Sequence, residues 1–150
     1  MKTLENDAQE LFVVAGRLLD ESGPVDSISR PLTFAALFTL FALPAAALKL
    51  SEETVSALAI LAILGVVEFY FAQRVAFDAK LFRDVAARRI PDCTSLDKAL
   101  LRLRLIPPTK VGRPLEFRIA GARRLLNGQT AMFVGQLCLI FVYAMQGTFR

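Results

Sequence analysis

From Pro31 to Leu48 the chain reads PLTFAALFTLFALPAAAL, without one charge, and only Lys49 to Glu53 separates this run from a second. The second, Thr54 to Gln73 (TVSALAILAILGVVEFYFAQ), holds a single acid, Glu68. A third, Thr130 to Gln146 (TAMFVGQLCLIFVYAMQ), is again uncharged. A helix rises about 1.5 Å per residue and a bilayer's hydrocarbon core is about 30 Å thick, so a spanning helix needs roughly 20 mostly apolar residues. The first two runs meet that length, and the third, slightly short, spans with little tilt. A mean hydropathy of +0.48 agrees, since a domain that keeps its whole surface in water usually sits below zero. The same composition excludes a disordered chain, a collagen-like fibre and a disulfide-stapled module. The sequence therefore predicts an all-α polytopic membrane protein, with three transmembrane helices and a small helical cytoplasmic domain. Residues 1–30 form a cytoplasmic amphipathic helix and linker, and 31–73 a transmembrane hairpin (31–48 and 54–73). Residues 74–128 form a basic cytoplasmic helical segment, and 129–150 the third span with a short outer tail.

Basic residues set the orientation. Residues 74–128 hold thirteen Lys and Arg against five acids, whereas the hairpin turn has Lys49 alone and the C-terminal tail Arg150 alone. Basic loops stay on the cytoplasmic side. The expectation is a plasma (inner) membrane protein with its N-terminus cytoplasmic and its C-terminus outside, and the Ala- and Arg-rich composition suits a bacterial membrane. A cleavable signal peptide ending near Ala45-Ala46-Ala47 is the rival for the first span. Signal peptides open on a short positive region; here residues 1–30, with six acids and three bases, come first.

Leu4, Ala8, Leu11, Phe12, Ala15, Leu18 and Leu19 recur at helical spacing and predict an amphipathic helix that stops near Ser22-Gly23-Pro24. Its surplus of acids is repelled by an anionic lipid surface, so it is expected to pack on protein. The second span continues without a stop signal as far as Ile90-Pro91, giving one helix of about 36 residues, or about 54 Å. Thr94-Ser95-Leu96-Asp97 fits a capping box that opens a short helix to Leu105, which Pro107-Pro108 ends. Pro114 suits the first turn of a last cytoplasmic helix with Leu115, Ile119, Ala122 and Leu126 on one face. Asn127-Gly128 then reads as a terminator or hinge before the third span. Pro44 is expected to bend the first span near its outer end.

Glu68 is the residue that most needs a reason, because an acid at the centre of a membrane costs about 2.5–3.5 kcal/mol on insertion scales. Counted from Arg74 it lies about six residues, or roughly 9 Å, inside the cytoplasmic boundary. Gln136 comes to nearly the same depth, with Thr39 about one turn deeper. Small Gly65 and Ala72 flank Glu68 on its face and admit a close neighbour. The expectation is an intramembrane polar layer of Glu68, Gln136 and Thr39, at which Glu68 binds a proton or cation. Its plainer alternative is a protonated or hydrogen-bonded glutamate that only fixes helix packing, or one that sits near headgroup water.

Arg113, Arg118, Arg123 and Arg124 are expected to contact anionic lipid headgroups or a partner, beyond supplying the positive-inside signal. No nucleic-acid module accompanies them, so nucleic acid is not an expected ligand. The chain has no histidine and no P-loop, G-x-G-x-x-G or G-x-S-x-G motif. No catalytic group, metal site or cofactor is expected. Asp78 and Asp84, six positions apart, face different ways on a helix. Cys93, beside Arg88 and Arg89, has bases that would lower a thiol pKa but no histidine to serve it. Cys93 and Cys138 are expected on different sides of the membrane interface, hence unpaired.

These readings lead to a small non-catalytic integral membrane subunit. It would scaffold, assemble or regulate a larger membrane complex, in contact with the lipid bilayer and with another membrane protein or itself. The alternative is a homo-oligomeric transport protein that conducts protons or cations past Glu68. A membrane enzyme acting on lipid headgroups is a third and weaker class.

Overall fold

The computed structural model describes residues 2–20 and 22–148, with side-chain environments for 9–20 and 22–146. Among these the regular structure is all helical: α1 (Lys2–Asp20), α2 (Gly23–Ala45), α3 (Glu52–Ala86), α4 (Cys93–Arg102), a 3-10 turn (Pro108–Lys110) and α5 (Leu115–Thr148). Three helical stretches, Gln9–Ala45, Glu52–Ala86 and Leu115–Gln146, are long and apolar enough to cross a membrane. Leu4, Ala8 and Arg150 lie outside the residues whose side chains are described.

The chain divides into two compact units, one of Met1–Glu21 with Arg74–Leu125, the other of Ser22–Gln73 with Leu126–Arg150. In the first, α1 buries Phe12, Ala15 and Leu19, and the second half of α3 buries Val75, Ala79 and Phe82. Each set steps by three and four residues, which keeps it on one helix face. The Phe12 and Phe82 rings meet edge to face at 5.6 Å, the arrangement that aromatic quadrupoles favour. Gln9 donates its Nε2 to the Ala86 carbonyl at 2.9 Å, satisfying an end group of α3. Asp20 and Arg83 form a half-exposed ion pair at 3.5 Å. The acidic helix thus packs on protein, but Leu11 and Leu18 of its expected face are exposed.

In the second unit the inward residues are Ser29, Thr33 and Ala36 of α2, Ala62, Gly65, Glu68 and Ala72 of α3, and Gln129 and Gln136 of α5. Nearly every one is small or polar. Large apolar residues face outward instead: Phe34, Phe38 and Phe41, at steps of four and three on α2, are 69%, 72% and 74% exposed. Small residues let helix backbones approach closely where lipid supplies no hydrophobic force between helices.

Five expectations about boundaries need correction. α2 begins at Gly23, ahead of Pro31, because Pro24 occupies its first turn, where a missing N–H costs nothing. Pro44 falls in the last turn of α2, whose end is set by Ala47 at φ 61°, with Leu48 N–H on the Leu43 carbonyl at 3.0 Å. α3 stops at Ala86, and α4 at Arg102, each closed by an arginine in the left-handed region, Arg88 (φ 56°) and Arg104 (φ 55°). α5 runs unbroken through Asn127-Gly128. Gly128 serves close packing, since a Cβ there would lie 3.2 Å from the Phe71 ring.

Candidate functional site

The second unit holds its polar groups in two hydrogen-bonded clusters. Gln136 of α5 anchors one. Its Oε1 accepts from the Ser29 hydroxyl at 2.7 Å, and its Nε2 donates to Thr33 Oγ1 at 3.2 Å and to the Leu61 carbonyl at 3.3 Å. Thr33 in turn donates to the Ser29 carbonyl at 2.9 Å. All three helices of the unit are joined through this one amide, whose hydrogen-bonding capacity is nearly filled. Gly65 makes the approach possible. A Cβ at that position would sit 2.6 Å from Gln136 Nε2 and 2.7 Å from Thr33 Cβ, and would collide with Thr33 Oγ1.

Gln129, two turns earlier on α5, anchors the other cluster. Its Nε2 donates to Glu68 Oε1 at 2.8 Å and, at 3.4 Å, to the Ser22 carbonyl. Glu68 and Gln129 are both fully buried. Each keeps one oxygen with no hydrogen-bond partner, Oε2 of Glu68 and Oε1 of Gln129. Arg30 of the same unit is engaged elsewhere, paired with Asp26 one turn away and resting over the Phe69 ring at 5.1 Å.

The expected layer is therefore revised in membership. Glu68 and Gln136 both lie inside the unit, but Glu68 bonds Gln129, not Gln136. Thr39 is not in the layer; its hydroxyl donates to the Ala35 carbonyl of its own helix at 2.8 Å. It stands six residues from Thr33, which at 3.6 residues per turn puts it on a different face. Sequence reading missed Gln129, Ser29, Thr33 and Ser22. The signal was present for three of them: Ser29 and Thr33 are four residues apart and Gln129 and Gln136 seven, hence on one face of their helices, whereas Ser22 supplies only its main-chain carbonyl, which no side-chain pattern marks.

The basic group separates. Arg118 is committed internally, its Nη2 donating to both carboxylate oxygens of Asp97 at 2.7 Å and its Nε to the Arg113 carbonyl at 3.1 Å. Their side chains are only 13% and 2% exposed, so Arg118 is withdrawn from the set expected to meet headgroups or a partner. Asp97 also accepts from Gly112 N–H at 2.8 Å, and Gly112, at φ 73°, has a conformation that glycine adopts without penalty. Asp97 thus ties α4 to the start of α5 in place of the expected cap. The N-cap is Asp92, whose carboxylate accepts from Ser95 N–H at 2.6 Å; the Ser95 hydrogen bonds hold the Asp92 carboxyl below its ordinary range. Arg113, Arg123 and Arg124 are exposed.

Burial pushes the Cys93 thiol up, with the Arg118 charge opposing it, so the lowering expected from Arg88 and Arg89 does not govern it. Cys93 and Cys138 are both free thiols. Among the described residues, no three His, Cys, Asp or Glu side chains gather into a possible metal site.

No family model, curated protein or solved structure matches the chain.

Proposed function

We propose that this chain is an integral membrane protein working as a small non-catalytic subunit, which scaffolds, assembles or regulates a larger membrane complex. The observation that carries the membrane reading is the inverted second unit. Its polar groups Ser29, Thr33, Glu68, Gln129 and Gln136 are buried at 9% exposure or less, while Phe34, Phe38, Phe41, Ile63 and Phe141 stand outside. In water this arrangement wastes the hydrophobic effect; in lipid it satisfies the polar groups internally and leaves the exterior apolar. The excess of bases in residues 74–128 supports a cytoplasmic first unit and an inner-membrane location.

The choice of a subunit over a catalyst or conductor is supported by how fully the Gln136 cluster is hydrogen-bonded and by how deeply Glu68 is buried. Gln136 is bonded on both its oxygen and its nitrogen, and Glu68 faces the interior of its own chain with no exposure. The first unit offers contact chemistry: it exposes Leu103 and Phe117, each 68%, and also Arg102, Arg104, Lys110 and Arg113. A face of another polypeptide that is acidic and partly apolar is the partner this surface fits, with anionic headgroups contributing about 1 kcal/mol for each base near the membrane.

The test is extraction from the native membrane in mild detergent, followed by the mass and composition of the particle. A different polypeptide at fixed stoichiometry supports the subunit. A second reading, a homo-oligomer conducting protons or cations through Glu68, is favoured by the unpartnered Oε2 of that residue. It requires a pure homo-oligomer in the same experiment, and flux that Glu68→Gln abolishes.

A further inference from the structure

The two orphan oxygens of the second unit belong to two side chains that already touch. Glu68 Oε2 and Gln129 Oε1 both lack a donor, while Gln129 Nε2 and Glu68 Oε1 are bonded at 2.8 Å. A charged carboxylate with one N–H partner and no exposure carries an uncompensated desolvation cost, and among the described residues no Lys or Arg forms an ion pair with it. α2 supplies only Asp26 and Arg30, which pair with one another. α5 from residue 125 to 148 holds no Asp, Glu, Lys or Arg, its titratable side chains there are Cys138 and Tyr143, and Arg123 and Arg124, six and five positions before Gln129, are exposed. On α3, Glu52 and Glu53 lie about 22 Å or more along the axis at 1.5 Å per residue. Arg74 lies about 9 Å beyond Glu68 by the same rise, and six residues on at 3.6 per turn it is on a different face of α3.

We propose that Glu68 and Gln129 form a proton-binding site, in which neutral Glu68 donates its Oε2–H to Gln129 Oε1 and accepts Gln129 Nε2–H on Oε1. One proton then removes the unpaired charge and gives both orphan oxygens a bond, because a carboxylic acid and a primary amide each offer one donor and one acceptor on adjacent atoms. The pair becomes a two-bond clasp between α3 and α5. This goes beyond the subunit reading and does not depend on it: a silent clasp and a proton relay both need the proton there, and they differ in whether it leaves.

The test is infrared difference spectroscopy on the protein in lipid bilayers at neutral pH, comparing wild type with Glu68→Gln. The expected result is loss of one carboxylic-acid C=O band that is sensitive to H/D exchange, with no loss of carboxylate bands. Glu68→Gln should melt within a few degrees of wild type, since an amide can make both bonds. Gln129→Leu should keep the acid band but move it to higher frequency, as its hydrogen bond is gone. Loss of carboxylate bands in Glu68→Gln overturns the proposal, and so does failure of that variant to fold. Melting of the wild type in sodium, potassium and choline chloride at equal ionic strength is the second arm. Equal values are expected; stabilisation by one metal ion that Glu68→Gln abolishes would put that cation where the proton is proposed.

Discussion

Replacing Gly65 with alanine tests the close approach on which the second unit depends. The added carbon would lie 2.6 Å from Gln136 Nε2 and 2.7 Å from Thr33 Cβ, whereas optimal carbon contacts are about 3.5–4.0 Å. Rotating Thr33 away gives up its bonds to Ser29 and Gln136 and leaves its Cβ in place. The helices must therefore separate by roughly 1 Å, on the difference between those distances. Gln136 bonds of 3.2 and 3.3 Å are already long, and that movement breaks them. Overpacking costs about 1–3 kcal/mol, and each buried polar group left without a partner about 1–3 kcal/mol more. The better helix propensity of alanine offsets about 1 kcal/mol, for a net loss of about 1–5 kcal/mol with the Gln136 amide left unpaired. At roughly 2–4 °C per kcal/mol for a chain of this size, melting should fall by about 2–20 °C. The assay is thermal unfolding in mild detergent, followed by loss of the monodisperse peak. Gly121→Ala is the control: nothing lies within 4 Å of a Cβ there, so it should be neutral or stabilise by up to about 1 kcal/mol. Thr33→Gly combined with Gly65→Ala moves the glycine to the facing helix and should restore part of the loss. Gly65→Ala melting no lower than Gly121→Ala would refute the reasoning.

Two more outcomes follow from the first unit. Arg118→Met leaves the Asp97 carboxylate buried with Gly112 N–H alone and should cost about 3–5 kcal/mol, whereas Arg123→Ala and Arg124→Ala, on exposed side chains, should stay within about 0.5 kcal/mol; thermal melting separates them, and equal effects would contradict the internal role of Arg118. The Asp92 cap contributes stability that is fully present above the unfolded carboxyl value of 3.8 and is lost as pH falls through its lower folded value. Asp92→Ala should speed amide hydrogen exchange at Ser95 and Leu96 at neutral pH and flatten that acid limb, and unchanged exchange would remove the cap from the account.

The long helices were legible because periodicity and apolar length persist over many residues. α3 continues past its apolar run since AQRVAFDAKLFRDVAARR offers good helix formers and no breaker before Pro91. Its true end was not legible, because Arg88 takes the left-handed position that sequence reading looks for in glycine. Asp97 fits a capping motif locally, yet its carboxylate is claimed by Arg118, twenty-one positions away, a tertiary partner that no local pattern reveals. Glu68 and Gln136 stood out as polar residues in apolar runs. Gln129 did not, since it sits at the edge of its run, where depth counted from a boundary assigns it to the interface rather than to the layer. Ser29 lies ahead of the apolar run that opens at Pro31, although α2 begins two turns earlier, and Thr33, in the first turn of that run, has nothing local to mark it as buried.

The three crossings are tested most directly by placing single cysteines on either side of them. In a background without Cys93 and Cys138, Glu52→Cys marks the hairpin turn and Thr109→Cys the segment between α4 and α5, both at exposed positions. A membrane-impermeant maleimide is applied to intact cells and to inverted membrane vesicles. The hairpin cysteine should label in intact cells and be protected in inverted vesicles, and the Thr109 cysteine should do the reverse. Labelling of both from the same side would contradict a hairpin that crosses the membrane, and labelling of Thr109→Cys from outside alone would contradict the orientation.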